Sequence, residues 1–567
     1  MERNHLYAAL AFLALIIWFV WLAPKPQPLP PPSSPAAAPS GKTAAPPSPA
    51  PAPEKGPAAP VVPTGPAVAA AGVELQEVET DVYAIRFTNQ GGSVLSWRLK
   101  QFQDSRKAPV ELVPEPVRAP GQSARPLQWD LDDADLAKRL NEAPFAVERE
   151  GNGDGETLRF RYADGTGLTA EKAFTFRKNA YVVGVHALVV DRGRTVPVRL
   201  TWGPGFEAQD VVRRGSFHYG SQLVRNVGGH VERVRPNKVT SASALDAPGD
   251  LRWAGLEDQY FAALLLPGGK GGSRVWPVPA EVPKDEKKPE GEKETRPFPV
   301  VAVSVADGGA RLFVGPKSYP LLRQTGLPPL QVIWFSNFGG VDYLAELLLR
   351  FLLWLHAHVV ANWGVVIVLA TFCLRLVLFP LNQYSMVKMR KAGMQMQRLK
   401  PRMDALKSKY AKKKDADSRR KMNEEMMALY AKEGINPFSQ MSGCLPIFIQ
   451  FPVLIAFYNV FTVAVELRGA PFAAWIKDLS LPDPWLITPL LMGATMFYQQ
   501  KLAMQKSAMD PTQARMMMFM PLIFTVTFLT LPSGLVLYWL TNNVLGIAQQ
   551  YLVNRHIARI EPAAQRA

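Results

Sequence analysis

The stretch VVIVLATFCLRLVLFPL, residues 365–381, belongs in hydrocarbon except at Arg375. A permanent cation at the centre of a membrane helix costs roughly 2.5–3.5 kcal/mol on insertion scales, so it faces a partner or a watery cavity, or its long stem snorkels to the headgroups. On either reading the run is a membrane span over 361–381. Further apolar runs at 444–465, 485–498, 516–531 and 533–553 make the C-terminal third a polytopic α-helical membrane domain. Several are shorter than the roughly 20 residues that a bilayer core of about 30 Å requires, which implies local thinning.

Outside that third the composition changes. The chain of 567 residues is 48% hydrophobic, its 51 prolines are unevenly spread, and its formal net charge of +16 is concentrated toward the C-terminal half, which points to an anionic partner such as RNA, a ribosome or lipid headgroups. Cys373 and Cys444 both lie in apolar runs, so no disulfide framework is expected. The apolar run 6–22 is longer than the core of a cleavable signal and lacks a small-residue cleavage site, so residues 1–23 read as an uncleaved signal anchor with Arg3 in the cytoplasm. Residues 24–72, rich in proline, alanine and serine, cannot build a core and read as a tether, extended at about 3.1 Å per residue.

Residues 73–332 read as all-β. Tyr83, Ile85 and Phe87 alternate with other residues, the turn NQGG comes next, and Leu95, Trp97 and Leu99 alternate again, which is a hairpin signal. Further strands carry Leu158/Phe160/Tyr162, Phe174/Phe176 and Tyr181/Val183/Val185, and PKDEKKPEGEKETRP (283–297) is expected as a solvated loop. His186, His218 and His230 fit no metal-ligand spacing, and PGGKGGS (267–273) lacks the lysine–serine/threonine ending of a P-loop, so both read as structural.

Lysine and arginine set the topology. Residues 386–435 carry fifteen of them against six acids, so this segment is cytoplasmic, as are the link with Lys501, Lys506 and Arg515 and the tail with Arg555 and Arg559. The balanced link 466–483 falls outside, and so does the β domain. Within the basic segment Met389, Ala392, Met396, Leu399, Met403, Leu406 and Tyr410 form a heptad seam that can pair with Met422, Met426 and Leu429 in an antiparallel hairpin. Ahead of the first span, 341–360 places Asp342, Glu346 and Arg350 on one face of an amphipathic interfacial helix.

Thr371 and Arg375 are one helical turn apart and share a face. Gln450, Asn459, Asn542 and Asn543 are further polar groups in apolar spans, each needing a partner or water, and a shared wet cavity would serve them together. A secondary transporter also carries polar groups at mid-membrane, but its inverted repeat is not seen in these spans. A membrane-anchored glycan-binding protein is the other alternative, suggested by the β domain alone.

Four stretches decide between these readings: TFCLRLVLFPLNQYSMVKM (371–389), EEMMALYAKEGINPFSQMSGCLPIFIQFPV (424–453), VELRGAPFAAWIKDLSLPDPW (465–485) and FMPLIFTVTFLTLPSGLVLYWLTNNV (519–544). In order and spacing they closely resemble the YidC/Oxa membrane protein insertases, and the N-terminal anchor with a large β domain resembles the form found in Gram-negative bacteria. The resemblance implies a mixed fold: an anchor plus five-helix insertase core with a periplasmic β-supersandwich. It divides the chain at 1–23, 24–72, 73–332, 333–360, 361–385, 386–435, 436–553 and 554–567.

It also implies a groove open to the cytoplasm and to lipid, lined by Arg375, Thr371, Gln450, Trp539 and Asn543, with Trp539 standing where better-known relatives have tyrosine. Leu445, Pro446, Phe451, Phe519, Pro521 and Phe524 are expected as a hydrophobic slide, and Lys412, Lys413, Lys414, Arg419, Arg420 and Lys421 as a ribosome or lipid contact. Nascent membrane proteins, the ribosome, the Sec translocon and anionic lipids are the expected partners. The expected location is the bacterial inner membrane with both termini cytoplasmic, and no enzyme activity, cofactor or small-molecule substrate is expected.

Overall fold

The computed structural model describes residues 66–104, 107–113, 124–151, 153–205, 220–239, 249–283, 292–305, 309–335, 339–410, 415–432, 445–504 and 511–564. The expected anchor, most of the tether, His218, Cys444, Lys412, Lys413 and Lys414 lie outside the described residues. The chain forms two compact units that meet in sequence between Val332 and Ile333.

The first unit holds three antiparallel sheets. One is β1 (Leu75–Glu79), β2 (Tyr83–Thr88), β3 (Ser93–Gln103) and β4 (Pro109–Glu111) in that order. The second runs β13 (His230–Val234), β12 (Gln222–Val227), β14 (Leu251–Glu257), β15 (Phe261–Pro267), β18 (Gly309–Pro316), β9 (Val182–Asp191), β8 (Leu168–Arg177), β7 (Gly155–Ala163) and β6 (Ala146–Gly151), with β10 (Arg194–Val196) beside β9. The third is β16 (Ser273–Pro283), β17 (Lys293–Ser304), β11 (Arg199–Trp202) and β5 (Trp129–Asp130). Helices α1 (Ala134–Glu142), α2 (Tyr319–Thr325) and α3 (Pro329–Val332) complete the unit.

Aromatic rings join the sheets. Phe87 lies 5.2 Å from Phe174 and 5.8 Å from Phe160, tying the first sheet to the second, and Trp97 meets Trp202 of the third at 5.8 Å. Lys172 is fully buried beneath them, its amine 4.1 Å from the Trp129 ring and donating to the main-chain oxygens of Gly91 and Leu127; burial pushes its pKa well down.

Two expectations shift. The hairpin forms, but a bulge between Arg86 and Phe87 pairs Phe87 with Val94, so Val94 and not Leu95 joins Trp97 and Leu99 in the core. A bulge adds one unpaired residue and reverses the facing of the residues beyond it. The expected loop at 283–297 is shorter, because β17 begins at Lys293 and pairs it with Pro283.

The second unit is helical: α4 (Gly339–His358), α5 (Trp363–Tyr410), α6 (Ala416–Lys432), α7 (Leu445–Val463), α8 (Ile487–Met504), α9 (Pro511–Phe528) and α10 (Ser533–Ala564). Among the described residues Trp363–Lys388 is the one helical segment long and apolar enough to cross a membrane, with mean hydropathy 2.4; Gln450–Val463 and Arg515–Phe528 are shorter apolar helices. Helix α4 buries Ala345, Leu348, Leu349, Leu352 and Leu355, one stripe at helical spacing, and packs on α7 and α5.

Asn362 caps α5, its Oδ1 accepting from the Val365 N–H at 3.0 Å. From there α5 runs 48 residues without a break, through Pro380 and Pro401. The expected division at residue 385 falls inside this helix, so span and basic arm are one rod. A proline removes one hydrogen bond, which neighbouring helices can compensate, and beyond Pro380 the helix is packed at Leu399. In the hairpin of α5 and α6 Leu399 is buried, the Tyr430 hydroxyl meets the Met403 sulfur at 3.9 Å, and Lys409 and Tyr410 hold Glu425 at 2.9 and 2.8 Å.

The link between α7 and α8 is hydrogen-bonded to the starts of α5 and α10. Its Leu481 and Leu479 carbonyls accept from the Ser533 and Gly534 N–H groups at 2.7 and 2.9 Å, satisfying the start of α10, and its Phe472 carbonyl accepts from Asn362 at 2.9 Å. Asp483, 2% exposed, accepts from the Trp475 indole, the Trp485 and Thr488 N–H groups and the Thr488 hydroxyl at 2.7–3.0 Å.

Candidate functional site

Helix α10 separates the polar residues of the apolar spans onto two faces. Tyr538, Asn542 and Gln549 lie within about 40° of one another around the helix, Trp539 and Asn543 lie about 60–100° further round than Asn542, and Gly546 stands between the two groups.

On the first face stands Arg375. Its Nε donates to Asn542 Oδ1 at 2.8 Å, its Nη2 to the Asn542 main-chain oxygen at 2.8 Å, and its Nη1 to Gln549 Oε1 at 3.4 Å. Gln549 in turn donates to the Phe379 carbonyl of α5 at 3.3 Å, so its amide bridges the two helices. A turn away, Gln450 of α7 donates to the Tyr538 hydroxyl at 3.0 Å, and Tyr538 stacks on Phe457 at 4.2 Å. Every Arg375 acceptor is neutral, and no carboxylate pairs with it among the described residues. A guanidinium has five N–H donors. Three are engaged, which leaves two N–H groups and a full positive charge on a half-buried side chain.

The other face is apolar. Trp539 stacks on Phe524 at 6.2 Å and meets Phe528 edge-on at 5.1 Å, while Asn543 donates to the Met492 carbonyl and Thr495 hydroxyl of α8 at 3.3 and 3.4 Å. Of the five expected groove residues, then, Arg375 and Gln450 gather on one face of α10, and Trp539 and Asn543 lie on the adjoining face. Asn542, not Asn543, holds the arginine, since neighbours on a helix point about 100° apart. Thr371 joins neither group: it is fully buried and its hydroxyl donates to the Ile367 carbonyl of its own helix at 2.7 Å. Asn459 also stands apart, its buried amide nitrogen without an acceptor among the described residues. Tyr538 and Gln549 were not singled out in the sequence; the signal was the polar and small stripe 538-542-546-549.

Of the expected slide, Phe451 and Phe519 are 58% and 62% exposed, and Leu522, Ile523 and Val526 extend the face from α9. Phe524 is half-buried against Trp539, and Pro521 is buried, its carbonyl accepting from the Thr525 hydroxyl at 2.7 Å, so Pro521 is packing and not surface. Leu445 and Pro446 open α7; their side chains lie outside the described residues. Arg419, Arg420 and Lys421 are exposed on α6, and Arg420 pairs with Glu424 at 3.0 Å. His186 and His230 are exposed and apart, and no cluster of metal-ligating side chains occurs among the described residues.

A three-sheet β unit followed by a helical unit with a membrane-length apolar helix and a seated, uncompensated arginine defines a membrane protein with a large extramembrane domain. The chain belongs to the YidC family. Residues 354–560 match the family described as 60Kd inner membrane protein, and residues 75–350 match the YidC periplasmic domain. Among its relatives, the membrane protein insertase YidC of Syntrophus aciditrophicus is 32% identical over 530 residues, 88% of this chain and 92% of that protein. The one from Geobacter metallireducens is 32% identical over 573 residues, 97% of this chain and 99% of the relative. A solved structure described as an active YidC insertase with its first transmembrane domain resolved covers 86% of this chain and 94% of its own, at 18% identity and a TM-score of 0.34.

Proposed function

We propose that this inner-membrane protein is a membrane protein insertase, and that the arginine seated on α10 does its electrostatic work. The observation that carries this reading is the set of neutral acceptors around Arg375: the charge is positioned by the protein and compensated by none of it among the described residues. A nascent segment arriving with an acidic flank supplies the missing negative charge. Coulomb attraction in a poorly solvated site is several times stronger than in water, and two N–H groups remain to receive a carboxylate.

The apolar part of the client then moves along the exposed rings of Phe451 and Phe519 into lipid, beside the Trp539–Phe524 stack. Hydrophobic transfer, at about 25 cal/mol per Å² of apolar surface, drives that step. No bond in the client is made or broken, and the transfer of apolar surface supplies the driving force. The link between α7 and α8 closes the outer end, which leaves entry from the cytoplasm and from lipid. The exposed cations of the hairpin face anionic partners, ribosomal RNA or lipid headgroups, the Sec translocon works beside it on some clients, both termini are cytoplasmic, and the β unit lies in the periplasm.

The test is proximity. With a photoreactive residue at Trp539 or at Phe451, a ribosome-stalled membrane segment is expected to crosslink from both positions. Crosslinking from Tyr343 on α4, with none from either groove position, would contradict the route.

A further inference from the structure

Gly546 stands at the edge of the Arg375 face of α10 and carries no side chain, and three helices converge on it. A Cβ placed there would stand 2.8 Å from Arg375 Nη2 of α5 and 2.5 Å from Gln499 Nε2 of α8. Both are closer than non-bonded atoms approach, and both neighbours are the far ends of flexible side chains. The same Nη2 donates to the Asn542 main-chain oxygen, the acceptor that an α-helix directs at the N–H of residue 546. The guanidinium therefore rests on the backbone of α10, and that approach is open only where Cβ is missing.

We infer that Gly546 is a positioning residue for insertion: with Asn542 and Gln549 it forms a backbone seat that fixes where the Arg375 charge is presented to the client. The inference rests on the reading of Arg375 as the group that receives acidic flanks. Asn542 grips two nitrogens, Gln549 tethers the third to the Phe379 carbonyl, and Gly546 lets the fork lie flat against the helix. A methyl group at 546 displaces the guanidinium and the Gln499 amide, both able to swing aside, so the helices stay packed while the charge moves.

The experiment compares Gly546→Ala in two backgrounds, native and Arg375→Ala, using reconstituted full-length protein and two client segments that differ only in an acidic or a neutral flank. Insertion is normalised to folded insertase. Gly546→Ala is expected to lower insertion of the acidic client about threefold or more relative to the neutral one, a part of what a charge-assisted hydrogen bond contributes, and to add nothing in the Arg375→Ala background. Gly546→Ser is expected to act in the same direction. Equal losses for both clients, losses that add to those of Arg375→Ala, or no loss overturn the seat while leaving the arginine's role intact, provided that Arg375→Ala alone discriminates the clients. Should Arg375→Ala not discriminate them, the reading of Arg375 fails and the seat with it.

Discussion

A guanidinium between helices ordinarily takes a carboxylate, and Arg375 has two side-chain amides and a main-chain carbonyl instead. That choice keeps the charge available, because amides satisfy donors without cancelling the field. Asp483 is the counter-case. Burial opposes its ionisation, but hydrogen bonds from the Thr488 N–H and hydroxyl, the Trp485 N–H and the Trp475 indole outweigh burial and hold the carboxyl below its ordinary value. A depressed folded pKa stabilises above the unfolded value near 4 and loses that contribution as pH falls through the folded one. Thermal unfolding of the helical unit is therefore expected to shift to lower temperature on acidification below about pH 4 in the native protein. Asp483→Ala should cost about 2 kcal/mol at neutral pH through its orphaned donors and flatten the acid dependence; an unchanged acid profile would remove Asp483 from the account. At this scale the sequence was half legible. An arginine in a leucine run announces itself, whereas the choice between Asn542 and Asn543 depends on helix rotation, and the burial of Thr371, with its hydroxyl bonded to its own helix, leaves no mark in the sequence.

Among elements, α5 joins two jobs in one rod: its first half carries Arg375, and its second forms a basic arm paired with α6. The side chains of Met389 and Ala392 lie outside the described residues; the later part of the heptad seam, Leu399, Met403 and Tyr410, was legible because these residues repeat at helical spacing, and they meet α6 or are buried. The uninterrupted helix was not, since Pro380 reads locally as a stop and only packing shows that it is passed. In the β unit the alternation located β2 and β3, but the bulge that exchanges Leu95 for Val94 leaves no mark in composition. For the hairpin, reversal of Arg419, Arg420 and Lys421 to glutamate is expected to weaken cosedimentation with ribosomes or anionic vesicles and to lower its salt dependence, each lost contact reducing the slope by about one. Unchanged binding at low and moderate salt would make this surface a solvated face only.

The whole molecule divides into two compact units, and every residue of the proposed route lies in the helical one. Replacing residues 73–332 with a flexible linker is expected to leave insertion of a small client largely intact, measured against the amount of variant in the membrane. Loss of insertion at normal abundance would make the β unit part of the machine. The most direct measurement concerns Arg375 in the full-length protein reconstituted into vesicles: protease protection of paired clients with acidic or neutral flanks, for Arg375→Lys, Arg375→Ala and Arg375→Glu. A positive field held by the guanidinium fork predicts that Arg375→Lys, a cation that cannot occupy the Asn542–Gln549 seat, inserts the acidic client better than Arg375→Ala but less well than the native protein. It predicts that Arg375→Ala and Arg375→Glu fail most on the acidic client, with the defect shrinking on the neutral one. Equal defects on both clients, with folded variant at equal abundance, would contradict it.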